Sequence, residues 1–127
     1  MKILIVDDLD QNLIVLEKVI SKIFKNKNIR YQLSSAYNGK EALEQYSKDF
    51  FDLVFTDIRM PIMNGFELSE KLLEIHPKAY IVAVTAEPIE EVRDRAINIG
   101  LKGIIEKPIS KTKISSYVNL VMNSLTT

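Results

Sequence analysis

The chain has 127 residues, enough for one domain with a real core, and its 46% hydrophobic and 27% charged content excludes a disordered chain. Seventeen basic and seventeen acidic side chains cancel to a formal net charge of zero, so no global field draws the molecule to nucleic acid or inserts it in a membrane. With no cysteine, disulfides and thiolate metal sites are excluded, which fits a reducing compartment, and no apolar run approaches the roughly 20 residues of a membrane span.

The N-terminal stretch MKILIVDD is too short in its apolar part for a signal peptide, and acids follow directly, so the sequence reads as a single cytoplasmic domain over 1–127. Residues 3 to 6 form an apolar run that suits a strand buried on both faces. Leu13, Leu16, Ile20, Ile23 and Phe24 then recur at helical spacing, with Asp10 as the expected N-cap. Residues 31 to 36, YQLSSA, are more polar, as an edge strand is. Asn38 is placed to cap a short helix with Ala42, Leu43 and Tyr46 on its apolar face. Residues 52 to 57, DLVFTD, give a third strand, and Asn64 caps a helix carrying Phe66, Leu72 and Leu73. Residues 79 to 86 are a fourth strand, and Pro88 opens a helix with Ile89, Val92, Ala96 and Ile99 on one stripe, stopped by Gly100. Residues 102 to 108 are a short fifth strand, and Ile114, Tyr117, Val118, Val121 and Leu125 stripe the closing helix. Strands that alternate with helices in this way predict an α/β fold with a parallel sheet, and no repeat or linker interrupts it.

Right-handed crossovers bring the carboxyl ends of all the strands to one edge of such a sheet, where open α/β folds bind their ligands. The residues standing at those ends are Asp7 and Asp8, Asp57, Thr85 and Lys107. Four strands therefore deliver three carboxylates, a hydroxyl and an ammonium to one small region. Crowded carboxylates repel one another unless a cation neutralises them, and a hard divalent ion such as magnesium takes oxygen ligands of this kind. Beside an ammonium and a hydroxyl, such a site can receive a phosphoryl group, and an aspartate can accept it covalently.

At these residues the sequence resembles the receiver domain of two-component response regulators. The matching segments are VDD after the first strand, D-x-R-M-P-x-M-N-G from Asp57, VTA with Thr85, and KP at Lys107 and Pro108. The resemblance spans essentially the whole chain. It implies a flavodoxin-like (βα)5 sandwich of strand order 2-1-3-4-5 and Asp57 as the phosphorylated residue. It implies a magnesium ion held by Asp8, Asp57 and the backbone carbonyl of Arg59, with Asp7 acting through water, while Lys107 pairs with the phosphoryl group and Thr85 turns inward to it. It further implies a cis bond from Lys107 to Pro108. The donor it implies is a phosphohistidine on a sensor histidine kinase or histidine phosphotransfer domain, docking near Leu9, Asn12 and Leu13, with self-catalysed transfer and an unidentified downstream protein target.

Ile104 departs from the family pattern, in which many members carry Phe or Tyr three residues before the lysine, so a rotating aromatic cannot report the position of Thr85. Arg59 and Glu87, each two residues beyond a site residue, either tune the lifetime of the acyl phosphate or are solvated charges. The chain stops about one helix after Lys107 and leaves no room for a DNA-binding output domain. It is expected to be a stand-alone receiver, for which the initial Met1 speaks mildly, or a piece of a hybrid kinase, which VDDLDQNLIVL and AVTA resemble. Two rivals remain. Asp8 and Asp10 match the D-x-D of haloacid dehalogenase-like phosphatases, with Asp8 as nucleophile, although Asn12 is not the Thr or Val of that pattern. A flavin-binding module would need a hydroxyl- and glycine-rich loop where three acids stand here. His76, before Pro77, is expected at a helix end rather than as a ligand.

Overall fold

Five short segments, four of them mainly apolar, become five parallel strands in the computed structural model, which describes residues 1–25 and 27–125. The elements are β1 (Lys2–Val6), α1 (Asp10–Phe24), β2 (Gln32–Ala36), α2 (Gly39–Lys48), β3 (Leu53–Thr56), α3 (Gly65–Ile75), β4 (Ile81–Thr85), α4 (Ile89–Ile99), β5 (Gly103–Glu106) and α5 (Lys111–Leu125). The sheet order is β2-β1-β3-β4-β5, as in the expected (βα)5 sandwich, with the polar β2 at one edge.

Alternation along each strand decides which helix layer it feeds. Ile3 and Ile5, with Leu53, Phe55, Val82 and Val84, face α1 and α5, where Leu13, Leu16, Ile20, Ile114 and Val118 cover them. Leu4, Val6, Val54 and Ile81 face the opposite way, onto Ala42 and Tyr46 of α2 and Leu68 and Leu72 of α3. Under α4, Val92 and Ala96 close a smaller cluster with Ile58, Phe66 and Ala83. Strands buried on both sides need apolar residues at every position, which is why β1 and β3 read as unbroken runs.

Helix ends follow local chemistry. Asn38 Oδ1 accepts from the Glu41 amide at 2.8 Å, and Asn64 with Glu67 forms a reciprocal capping box. Gly100 ends α4 at φ 112°, a left-handed conformation that a side chain resists. His76 is the C-cap of α3, as expected.

Two local expectations change. Asp10 is not the N-cap of α1: Leu9 holds the extended cap conformation, so Asp10 is already helical, where its charge suits the positive end of the helix and accepts from the Tyr37 hydroxyl. Leu125 is 53% exposed, because the buried stripe of α5 stops at Val121 and Met122. Met122, rather than Leu125, completes the face.

Candidate functional site

Register brings the acids together. Val6 pairs with Thr56, so Asp7 and Asp57 emerge as the next residues of two adjacent strands. The Asp57 amide donates to the Val6 carbonyl at 2.9 Å and the Asp7 amide to that of Ala36 at 3.1 Å, so both backbones are held after the strands end. Thr56 pairs with Ala83, which carries Thr85 beyond the edge, and Thr85 pairs with Glu106, leaving Lys107 next in line. The Lys107 amide donates to the Thr85 carbonyl at 2.7 Å, and the Lys107–Pro108 bond is cis.

The side chains meet accordingly. Lys107 Nζ lies 3.2 Å from Asp7 Oδ2 and 3.3 Å from Asp57 Oδ2, bridging the two buried carboxylates. Asp57 Oδ1 accepts from the Ile58 amide at 2.7 Å, and Asp7 Oδ1 accepts from the Leu9 amide at 3.0 Å. Asp8 is exposed beside them, and carboxylate oxygens of Asp7, Asp8 and Asp57 all lie within 4.8 Å of one another. Three negative charges face one ammonium, which leaves two uncompensated when all are ionised. That deficit, the all-oxygen donor set and the solvent access at Asp8 fit a hard divalent cation. Burial raises the Asp57 carboxyl above its ordinary range; Lys107 and the Ile58 amide pull it down and Asp7 pushes it up.

Thr85 is buried at 1% exposure, but its Oγ1 accepts from the Glu87 amide at 3.0 Å and makes no bond to Asp57. Arg59 and Glu87, expected either to tune the acyl phosphate or to be solvated charges, form an ion pair with each other. Leu13 is 2% exposed and belongs to the core, so it offers no docking surface; helical rotation points it at the sheet. The outward apolar residues at this end of α1 are Leu9, Ile14 and Val15, at 49%, 44% and 46% exposure.

Gly65, the last residue of the D-x-R-M-P-x-M-N-G segment, also shapes the site. A Cβ there would stand 2.1 Å from the Asp57 carbonyl oxygen, so the start of α3 packs directly on the backbone of the acid. Nearby Ile62 sits at φ 73° and is 75% exposed, a strained conformation for a β-branched residue in the loop after Asp57. The D-x-D alternative loses its geometry. Asp10 lies outside the carboxylate cluster and bonds to Tyr37 instead.

Comparison with known proteins agrees with the fold. The sequence model of the response regulator receiver domain matches residues 3–119. Hybrid signal transduction histidine kinase L of Dictyostelium discoideum is 31% identical over 125 residues, covering 92% of this chain and 7% of that protein. The chain spans 7% to 15% of the length of the sensor kinases it matches, including ArcB of Escherichia coli and LuxN of Vibrio campbellii. A response regulator receiver domain protein from Clostridium thermocellum superposes with a TM-score of 0.85 at 20% identity, covering 98% of this chain and 96% of that one. The receiver domain of sensor histidine kinase PA1611 from Pseudomonas aeruginosa superposes with a TM-score of 0.83 at 18% identity, covering 96% and 97%, and carries magnesium in its active site cleft.

Proposed function

This chain belongs to the response regulator receiver domain family, and from that premise we propose that Asp57 is its phosphoacceptor, taking a phosphoryl group from a phosphohistidine in a two-component phosphorelay. The observation that carries the reading is the shared ammonium: Lys107, at the end of the edge strand β5, reaches Asp57 after β3 and Asp7 after β1 together. In the transfer, an Asp57 oxygen forms an O–P bond as the N–P bond of the donor breaks. The electron pair stays on the imidazole nitrogen, which takes its proton from solvent. Lys107 then pairs with the phosphoryl oxygens, and Thr85 turns inward to donate its hydroxyl to one of them.

Asp8 and Asp57, the Arg59 carbonyl and, through water, Asp7 would hold magnesium. The ion supplies positive charge that lets phosphoryl oxygens approach three carboxylates. The donor is a sensor histidine kinase or histidine phosphotransfer domain, and the apolar rim of Leu9, Ile14 and Val15 at the site end of α1 suits its docking. No described helix is long and apolar enough to cross a membrane.

The test uses acetyl phosphate as donor and intact mass as readout. One phosphoryl group should be added in magnesium and mapped to Asp57; chelation or Asp57→Asn should abolish it. Labelling that persists in Asp57→Asn, or turnover on a phosphate ester that depends on Asp8 alone, would overturn the assignment.

A further inference from the structure

α4 begins without a cap of its own. Pro88 precedes its first turn and makes no side-chain capping bond, so the leading amides of the helix need acceptors from elsewhere. One comes across the chain: the Ile89 amide donates to Glu106 Oε1 at 3.3 Å. Glu106 ends β5, pairs in register with Thr85 and immediately precedes Lys107. It therefore joins the first residue of α4 to the strand that carries the site's ammonium.

The turn between β4 and α4 is held at three points. The Glu87 amide rests on Thr85 Oγ1, the Glu87 carboxylate pairs with Arg59, and the Ile89 amide rests on Glu106. Among the described residues, Ile89 to Glu106 is the side-chain hydrogen bond that ties β5 to α4. Ile104, the other β5 side chain turned toward this helix, contributes only apolar packing against the cluster of Ile58, Phe66, Ala83, Val92 and Ala96.

For the Thr85 hydroxyl to reach a phosphoryl group on Asp57, it must swing away from the Glu87 amide. Only Ala86 to Pro88 separate Thr85 from Ile89, so a backbone movement accompanying that swing would be passed to the Ile89 amide, whereas Glu106 belongs to the neighbouring strand. The capping bond would then differ between the two arrangements, and a contact biases an equilibrium only through such a difference. We propose that Glu106 is a positioning residue: by capping α4 from β5, its carboxylate holds the turn with Thr85 facing away from Asp57, and so sets the site's affinity for a phosphoryl group. The inference rests on Asp57 being the acceptor.

Beryllofluoride with magnesium, a phosphoryl mimic, is titrated calorimetrically into the unchanged chain, Glu106→Gln and Glu106→Ala. Glu106→Ala should bind roughly threefold to fivefold more tightly, the factor expected of one lost cap, with Glu106→Gln between because it keeps an acceptor oxygen without the charge. By NMR, exchange of the Ile89 amide should quicken in unliganded Glu106→Ala by a similar factor, and the difference should vanish with beryllofluoride bound. A purely structural role would quicken exchange in both states. Glu90→Gln removes a carboxylate from the same helical turn and should leave affinity unchanged. Equal or weaker binding by Glu106→Ala overturns the proposal, as does equal tightening by Glu90→Gln. If the unchanged chain takes up no beryllofluoride, the assignment of Asp57 fails as well, which separates the two failures.

Discussion

At the amino ends of β1 and β3, polar groups meet partners one for one. The Lys2 amide donates to Asp52 Oδ2 at 2.7 Å, and the Lys2 ammonium pairs with Asp49 while lying over the Phe51 ring. Tyr46 is fully buried, with its hydroxyl 2.6 Å from His76 Nδ1 and its ring among Phe50, Phe51 and His76. Burial pushes that hydroxyl up to about 12, so it stays neutral. At the carboxyl ends of the same two strands, Asp7 and Asp57 share a single ammonium with Asp8 alongside. One end of the sheet has its polar groups paired, and the other is left with excess negative charge. Identical strand geometry serves both, so the difference lies in the side chains set on the last residues.

Four measurements break or sharpen that contrast. Tyr46→Ala should cost about 3–5 kcal/mol in urea denaturation, the range for removing a buried aromatic, with labelling of Asp57 per folded molecule unchanged. A parallel fall in labelling would mean that the two ends are coupled. Lys107→Met should do the reverse: labelling by acetyl phosphate falls about a hundredfold or more, the scale of one lost electrostatic stabiliser. Calorimetry should then show tighter magnesium binding, because a competing cation is gone.

Asp57→Asn should melt a few degrees higher than the unchanged chain at pH 7. The sign follows from burial, the largest influence, which raises the folded carboxyl above its ordinary value. Its contribution to stability is present below the unfolded carboxylate range and is lost as pH rises through the raised folded value. The gain from asparagine should therefore shrink below about pH 4, where the unfolded carboxyl is also protonated. Magnesium should narrow it at pH 7 by stabilising the unchanged chain, as scanning calorimetry would show. The smallest effect belongs to Asp49→Asn, since Asp49 is 75% exposed in its pair with Lys2. Less than about 1 kcal/mol should be lost, with labelling untouched.

Much of this was legible in the linear sequence because it depends on neighbours in the chain. Strand runs, helical stripes, the caps at Asn38 and Asn64 and the stop at Gly100 are local patterns, and βα alternation alone sends Asp7, Asp8, Asp57, Thr85 and Lys107 to one edge. Where local pattern misled, a shift of one residue or one helical turn was enough: the cap of α1 fell on Leu9 rather than Asp10, and Leu125 lay past the last buried turn. Leu13 lies in the core as its stripe implied, and not on the docking surface that the resemblance implied.

What only the tertiary structure decided is which groups share a partner. Lys107 bridges Asp7 and Asp57, Arg59 finds Glu87, Gly65 gives way to the Asp57 carbonyl, and Glu106 caps a helix that begins 17 residues before it. Periodicity specifies the face a residue occupies, whereas a hydrogen bond needs a distance set by strand register and by the fit of each helix on the sheet. The sequence by itself therefore determined the order of elements and the chemical kinds at the sheet's edge, and folding determined how those charges are paired.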